Sequence, residues 1–263
     1  MNLSGRTVLL TGATGGIGHA IARRLHAAGA SLILTGRRTE VLEALREEVG
    51  GRVLAVDLAD RAAVDGLATE AADVDVLVAN AALPASGAFS SFSIDELDRA
   101  LDVNLRAPMV LAHALAEHMT QRGIGHLVFI SSLSGKATTP GSSVYSATKF
   151  GLRGFAGGLR SDLRGTGVGV SAVFPGFIRD AGMFHDSGTE LPKMVGTSTP
   201  EQVADGVLSA IENDRGEVDV APVAMRLGAA FAGLAPERAA KLALRTGSGK
   251  ISAQLAKGQA TKR

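Results

Sequence analysis

A tyrosine and a lysine four residues apart are the strongest chemical feature of the sequence. Tyr145, the only tyrosine in the chain, and Lys149 stand in the segment VYSATK. On a helix this spacing brings both side chains to one face. A phenol, with an ordinary pKa of about 10, exchanges protons poorly at neutral pH unless a nearby cation lowers that value. The pair predicts a proton-transferring group, although the same spacing also occurs as a surface contact.

Two polar residues upstream of the pair are candidates for the same site. Ser132 follows a predicted strand over residues 126–131, and the carboxyl end of a parallel strand is where ligands bind. Its hydroxyl is suited to hydrogen-bonding a substrate oxygen. Asn104 lies in a predicted helix although Asn is a weak helix former. This suggests a specific function for Asn104, with an ordinary exposed helical Asn as the alternative.

A glycine-rich turn, TGATGGIG, spans residues 11–18 between a predicted strand and a predicted helix. Glycine permits a tight turn and close approach to a pyrophosphate, and the first turn of a helix presents unpaired N–H groups to an anion. Gly12, Gly16 and Gly18 have the spacing G-x-x-x-G-x-G rather than the commoner G-x-G-x-x-G. In a β-α-β unit this favours a dinucleotide site over a purely structural turn.

The end of the second predicted strand indicates which dinucleotide binds. An NAD site places an acidic residue about 20 residues after the glycines, whereas here the segment LTGRR ends in Arg37 and Arg38. Guanidinium groups bind phosphate through paired N–H donors and keep their charge. We interpret both arginines as ligands of the 2′-phosphate of NADP(H). Two solvated arginines at a strand end are the alternative.

Short apolar segments alternate with helical patterns along residues 1–222. Strands are predicted over residues 7–11, 31–35, 52–56, 74–79, 126–131, 168–174 and 217–220. Helices are predicted over residues 17–28, 40–49, 61–72, 94–122 with a bend at Pro108, 143–164 and 200–213. The alternation predicts one doubly wound, Rossmann-type parallel α/β sheet of about seven strands with helices on both faces. Another α/β fold with the same rhythm is the alternative.

Composition and motif content argue against several classes of protein. The 263 residues are 46% apolar and 20% charged, which fits a folded domain and argues against disorder. The absence of cysteine removes disulfides, thiolate metal sites and cysteine nucleophiles. His113 and His118 are five residues apart, which misplaces them for a metal-binding pair, and no G-x-S-x-G elbow occurs at a strand-to-helix turn. With no signal peptide or long apolar span, we expect a cytoplasmic protein that binds no nucleic acid.

Basic residues are concentrated near the C-terminus. Residues 226–263 contain eight Lys or Arg and one acidic residue, Glu237, although the whole chain has a net charge of only +1. We predict a dinucleotide-binding catalytic domain over residues 1–222. A basic extension over residues 223–263 is expected to form one or two helices and a frayed terminus. This extension is expected to be a solvated face or a packing arm, with contact to a membrane surface or an anionic partner as the alternative.

Together, these motifs resemble the classical short-chain dehydrogenase/reductase family over about residues 4–222. The family motifs occur in order: the glycine turn, Asp57 and Leu58 on the adenine side, Ala79-Asn80-Ala81-Ala82 after the fourth strand, Asn104, Ser132, Tyr145, Lys149, and Pro175-Gly176 after the sixth strand. The combination is far more specific than any single motif.

The resemblance implies NADP(H)-dependent interconversion of a carbonyl and a secondary alcohol. Tyr145 would be the acid or base, Ser132 would orient the substrate oxygen, and Lys149 would hold the nicotinamide ribose. Asn104 would support a water that passes the proton on. The implied cofactor-binding residues are Gly12, Thr14, Gly16, Ile17, Gly18, Arg37, Arg38, Asp57, Leu58, Asn80, Ala81, Tyr145, Lys149, Pro175, Gly176 and Ile178. A non-catalytic NADP-binding sensor or scaffold is the alternative.

The sequence departs from the family pattern at two places. Ala79 and Ala82 replace the outer residues of the usual Asn-Asn-Ala-Gly, and alanine narrows the allowed backbone angles relative to glycine. Asp180 stands where the family usually has a threonine that contacts the nicotinamide carboxamide. This second departure puts the nicotinamide contact in question.

Residues 177–199 resemble the family's substrate lid. Its apolar members are Met183, Phe184, Leu191, Met194 and Val195. They predict a small to medium apolar carbonyl or alcohol substrate, with packing onto the core as the alternative. His185 is expected at the surface, with contact to the substrate as the alternative. The resemblance also implies a homodimer or homotetramer formed through the two long helices, with apolar stripes that face only the sheet as the alternative.

Overall fold

The computed structural model of the chain describes residues 1–192, 195–245 and 248–259. Its seven parallel strands form one sheet in the order β3-β2-β1-β4-β5-β6-β7. They are β1 (Thr7–Thr11), β2 (Ser31–Gly36), β3 (Arg52–Ala55), β4 (Val76–Ala79), β5 (Gly125–Ile130), β6 (Val168–Pro175) and β7 (Glu217–Val220). The predicted doubly wound sheet is confirmed.

The chain reverses its direction across the sheet between β3 and β4, so a crevice opens at the carboxyl ends of β1 and β4. In the register of β1 with β2, Thr11 lies opposite Thr35. The glycine turn and the two arginines therefore emerge side by side at one edge of the sheet.

Helices cover both faces of the sheet because successive strand residues point to opposite sides. Val8 and Leu10 join one buried cluster, and Leu9 joins the other. One face carries α1 (Gly16–Ala27), α2 (Thr39–Val49) and α8 (Pro200–Glu212), and the other carries α3 (Arg61–Glu70), α5 (Ala107–Arg122) and α6 (Ser143–Asp162). Apolar residues on both sides of each strand explain why the strands read as continuous apolar runs.

The long helix predicted over residues 94–122 is interrupted. The segment α4 (Ile94–Leu101) begins with a capping box between Ser93 and Glu96, and a π-helical turn, Asp102–Arg106, separates it from α5. Pro108 has no N–H to donate to the carbonyl four residues earlier, that of Asn104. The chain widens into a π turn just before the proline. The other predicted elements of residues 1–222 are present, with ends shifted by two residues or fewer.

The described residues of the C-terminal region form three helices rather than one or two: α9 (Val223–Leu234), α10 (Pro236–Arg245) and α11 (Ser248–Gln259). Residues 260–263, where a frayed terminus was predicted, lie outside the described residues. Ala229 of α9 is buried in the same cluster as α5 and α6, so this region packs onto the sheet domain. The division at residue 222 stays a prediction. None of the helices in the described part of the chain is long and apolar enough to cross a bilayer.

Candidate active site

Two adjoining cavities lie at the carboxyl edge of the sheet. The glycine-turn cavity, about 910 Å³, is bounded by the turn after β1, the ends of β2 and β3, and the loop after β4. The apolar cavity, about 470 Å³, is bounded by the ends of β5 and β6, α6, residues 177–192, α9 and α11. The two share Ile17, Asn80, Ala82, Met183 and Gln259. A long ligand with one end in each cavity would pass between these shared residues.

Tyr145, Lys149 and Ser132 line the apolar cavity together. The Lys149 side chain is 2% exposed, and its Nζ donates to the Ile130 carbonyl at 2.9 Å. The same Nζ lies 5.6 Å from the centre of the Tyr145 ring. Interaction with the Ser132 side chain lowers the pKa of the Tyr145 phenol. The structure thus brings the three predicted residues together, and the phenol and the serine hydroxyl line the same cavity.

Burial dominates the protonation of this pair. It raises the pKa of Tyr145 to about 12, a shift that the interaction with Ser132 opposes only in part. It lowers the pKa of Lys149 to about 8. The net direction at Tyr145 is opposite to the predicted one, because desolvation of a phenolate costs more than its neighbours restore. At neutral pH the phenol therefore keeps its proton, and burial makes it a weaker acid than an exposed tyrosine.

The end of β5 is docked tightly onto α6. Ser131 Oγ donates to the Lys149 carbonyl at 3.0 Å. A Cβ on Gly135 would lie 2.6 Å from that carbonyl oxygen and 2.7 Å from Ser131 Oγ. Only glycine permits this approach, which sets the distance between Ser132 on the loop and Tyr145 on the helix.

Asn104 lines neither cavity. It is fully buried in the π turn, where its Nδ2 donates to the Leu83 carbonyl at 2.9 Å and its Oδ1 accepts from the Leu83 N–H at 2.6 Å. Its side chain therefore ties the loop after β4 to the long helical segment. The alternative of an exposed helical Asn is wrong, and the role in holding a water stays a prediction.

The glycine turn is shaped by close contacts with the loop after β4. Gly12 has a φ of +66°, and a Cβ there would lie 2.7 Å from the Cα of Ala81. Thr11 Oγ1 accepts from the N–H groups of Asn80 and Ala81 at 3.0 and 3.1 Å. Asn80 Nδ2 donates to the carbonyls of Thr11 and Gly12, both at 3.1 Å. Ala82 has no positive φ, so alanine in place of the family's glycine brings no backbone strain.

The residues of the glycine-turn cavity fit a dinucleotide. α1 begins at Gly16 after Gly15, which has no side chain to cap it, so the first-turn N–H groups face the cavity as an anion site. A Cβ on Gly18 would overlap the Gly12 carbonyl. Thr35 is 1% exposed, and its Oγ1 has no hydrogen-bond partner among the described residues. A buried, unpaired hydroxyl in a cavity wall is expected where a ligand supplies the partner.

The residues predicted to bind the adenine end of the dinucleotide also line this cavity. Arg37 and Arg38 are exposed at its mouth, and Arg38 Nη2 donates to the Thr14 carbonyl at 2.6 Å. Burial alone would raise the pKa of Asp57, but the Ala59 N–H and the Arg99 guanidinium hold it below its usual value. Thr14, Gly16, Ile17, Gly18, Asp57, Leu58, Asn80 and Ala81 line the same cavity, and Pro175, Gly176 and Ile178 line the apolar one.

The lid prediction holds in part. Met183, on the short helix α7 (Gly182–His185), lines both cavities, and Phe184 and Val195 line the apolar one. Leu191 does not line it, and Met194 lies outside the described residues. His185 is at the surface, paired with Asp186 at 3.4 Å.

Asp180 does not replace the carboxamide contact that its position suggests. It adopts a φ of +69° and pairs with Arg179 at 3.4 Å. Its side chain is 67% exposed and lines neither cavity. The contact that the family pattern expects at this position is therefore not available from Asp180.

The C-terminal helices supply a wall that sequence reasoning missed. Met225 and Ala229 of α9, and Ile251, Ser252, Leu255 and Gln259 of α11, line the apolar cavity. The signal was the spacing of residues 251, 255 and 259, which recurs every four residues and places them on one helix face. Across the described residues, no group of three or more His, Asp or Glu could hold a metal ion.

Comparison with known proteins gives one consistent result. The family model described as short chain dehydrogenase matches residues 6–191. A protein named Ketoacyl reductase HetN, from Nostoc sp., is 38% identical over 227 residues, which cover 83% of this chain and 79% of that protein.

Solved structures agree with the family match. A short-chain dehydrogenase from Sphingobium yanoikuyae in complex with NADPH has a TM-score of 0.76 and 29% identity, covering 89% of this chain and 93% of that one. A bulky-bulky ketone specific alcohol dehydrogenase from Comamonas testosteroni has a TM-score of 0.74 and 29% identity, covering 90% and 95%.

Proposed function

Because this chain belongs to the short-chain dehydrogenase/reductase family, we propose that it is an NADPH-dependent reductase that converts a small to medium apolar ketone into a secondary alcohol. The observation that carries the proposal is the Tyr145 phenol, which lines, together with Ser132 and Lys149, an apolar cavity that adjoins the glycine-turn cavity. A protonated phenol in this position can donate to a ketone oxygen, as reduction requires.

The reacting ketone would lie between Tyr145 and Ser132. When bound, the reduced nicotinamide supplies a hydride, which the side chains of this site lack. The Ser132 hydroxyl orients the ketone oxygen by a hydrogen bond, and the Tyr145 O–H gives its proton to that oxygen. The transfer is favourable although the pKa of Tyr145 is high, because an alkoxide is a stronger base than a phenolate.

Lys149 and Asn104 support this proton donor. The Lys149 ammonium, held by the Ile130 carbonyl, is placed to bind the nicotinamide ribose hydroxyls and to stabilise the phenolate left after proton transfer. Asn104 acts as a positioning residue through Leu83. The main-chain carbonyl of Asn104 receives no N–H from Pro108. This supports the hypothesis that the carbonyl holds the water that returns a proton to Tyr145.

The substrate class follows from the lining of the apolar cavity. Phe177, Phe184, Met225 and Leu255 give it adaptable apolar walls. The names of two relatives, a ketoacyl reductase and a bulky-bulky ketone specific alcohol dehydrogenase, support a ketone with a sizeable apolar part.

Replacing Tyr145 with Phe tests the reaction and separates an enzyme from a sensor. The substrates are aliphatic, steroidal and acyl-carrier ketones, with NADPH oxidation as the readout. We expect kcat to fall by about 10² to 10⁴-fold, because the proton donor is lost. NADPH affinity should stay within about two-fold, because the ring remains. A wild-type protein that binds NADPH tightly but reduces no ketone of the panel would favour the sensor.

The preference for NADPH is tested at Arg37. Replacing it with Asp puts a carboxylate where the 2′-phosphate would bind, so the Kd of NADPH should rise by about tenfold or more while that of NADH stays level or falls. Arg46→Asp, the same change on exposed α2 outside both cavities, is the control. Equal affinities of the wild type for both dinucleotides would contradict the assignment.

Self-association is part of the same proposal. Ile94, Leu101, Met109 and Phe150 are exposed large apolar residues on α4, α5 and α6. These are the helices expected to form the contacts of a homodimer or homotetramer, and exposed apolar side chains support such contacts. A cytoplasmic location stays a prediction.

A further inference from the structure

Gln259, at the end of α11, holds a buried amide between the two cavities. It is 5% exposed and lines both the glycine-turn cavity and the apolar cavity. Its Nε2 donates to the Met183 carbonyl at 3.1 Å, across 76 residues of chain. None of the cofactor-binding residues predicted from the sequence lies in this helix.

The Met183 carbonyl determines which way the amide faces. A carbonyl oxygen only accepts hydrogen bonds, so the amide must present its N–H to Met183 and turn its Oε1 away. That Oε1 is buried and has no hydrogen-bond partner among the described residues. A buried acceptor left unpaired is unfavourable, and in a cavity wall it indicates a ligand that supplies the donor.

The position of Gln259 is held by its neighbours. A Cβ on Gly258 would overlap the main chain of Ser187, so α11 lies directly against the lid. One and two turns earlier, Leu255 and Ile251 line the apolar cavity. The amide is therefore part of a packed helix end rather than a loose terminus.

We propose that Gln259 Oε1 accepts a hydrogen bond from the carboxamide N–H of the bound nicotinamide. The inference rests on the proposed function. Phosphate and ketone oxygens are acceptors, so an amide oxygen cannot pair with them. The adenine amino group belongs at the opposite end of the glycine-turn cavity, beside Arg37 and Asp57.

The ribose hydroxyls are the other donors, and Lys149 is placed to hold those at the nicotinamide end. The carboxamide remains the donor that belongs where the two cavities meet. Asp180, exposed and paired with Arg179, leaves that contact to be made from elsewhere. The C-terminal helix thus completes the coenzyme site, and its last described residue recognises the nicotinamide.

The test compares NADP⁺ with its 3-acetylpyridine analogue, in which a methyl ketone replaces the carboxamide and no N–H can be donated. Kd values are measured by calorimetry on the full-length protein, without substrate. The wild type should bind NADP⁺ about five- to tenfold more tightly than the analogue, as expected for one buried hydrogen bond. In the Gln259→Leu variant, the Kd of NADP⁺ should rise by about that factor, and the Kd of the analogue should stay nearly unchanged.

Gln254→Leu is the matched control, because Gln254 is exposed on the same helix and its replacement should keep the preference. If Gln259→Leu lowers the melting temperature, Gln259→Met, which keeps the side-chain length, gives the same comparison.

Three results would be decisive against the assignment or its premise. If Gln259→Leu raises the Kd of both ligands equally, the residue acts only through Met183 and helix packing. A wild type with no preference between the two ligands also overturns the carboxamide contact. A wild type that binds neither ligand instead contradicts the proposed function.

Discussion

Burial shifts the pKa values of Tyr145 and Lys149 in opposite directions, and together these shifts set the pH range of the proposed reaction. Each favours its neutral form, because the interior penalises charge. The phenol keeps its proton, since its pKa is raised to about 12, whereas the pKa of the amine is lowered to about 8. The ammonium, rather than the phenol, is therefore the group that limits activity as pH rises.

This predicts a descending limb in the pH profile of ketone reduction. The kcat/KM for NADPH should be level between roughly pH 6 and pH 7.5 and fall as pH rises further, because that ratio reports the free enzyme, in which burial lowers the pKa of Lys149 to about 8. Lys149→Met should be slow at every pH and lack the limb. A wild-type profile that stays level to about pH 10 would show that the charge of Lys149 is not required.

The β1–α1 turn positions the coenzyme through contacts that leave no room for side chains. Gly12 adopts a left-handed conformation against Ala81, and Asn80 closes the turn from the other side. The π turn before α5 works similarly, since it carries Asn104 inward to the main chain of Leu83. At this scale, specific backbone geometry in two turns positions α1 and α5 against the loop after β4.

Replacing Gly12 with Ala should therefore cost both stability and coenzyme binding. A left-handed alanine costs roughly 1–2 kcal/mol, and its Cβ would lie 2.7 Å from the Cα of Ala81. We expect a lower melting temperature and an NADPH Kd raised by about tenfold.

Gly15→Ala in the same turn is the control. Its φ is −89° and the nearest atom to its Cβ would be the Gly12 carbonyl oxygen at 3.7 Å, so the Kd should change little. Similar losses in both variants would mean that any methyl group added to the turn, rather than the close contact of residue 12 with Ala81, explains the effect.

Across the whole molecule, two of the C-terminal helices, α9 and α11, supply part of the wall of the apolar cavity. Residues from α9 and α11 face Tyr145 across the apolar cavity. None of the described residues of α11 belongs to the buried clusters on the two faces of the sheet. This helix therefore contributes more to the binding site than to the core. Contact of the basic extension with a membrane surface or an anionic partner stays an untested alternative to a solvated face or packing arm.

Removing residues 248–263 should weaken binding of apolar substrates while leaving the fold intact. We expect the KM for ketones with long apolar parts to rise by about fivefold or more, because the removal of Leu255 and Ile251 exposes their binding surface to water. The melting temperature should change little. Leu255→Ala in the full chain should show a smaller rise, and an unchanged KM in both variants would refute a substrate-binding role for α11.

The sequence by itself determined the features that depend on local spacing. The strand–glycine–helix pattern of residues 7–18 and the four-residue spacing of Tyr145 and Lys149 require only neighbours along the chain. The rule that ligands bind at the carboxyl ends of parallel strands then placed these motifs at one edge. The doubly wound sheet and its seven strands were predictable for the same reason.

Only the tertiary structure decided how these motifs are completed. The net pKa shift of Tyr145 depends on how much chain surrounds it. The partner of Asn104 lies 21 residues away, and that of Gln259 lies 76 residues away. No local pattern carries such contacts, because burial and hydrogen bonding between distant segments exist only once the chain has packed. The walls of the site and the charge of its groups are properties of that packing.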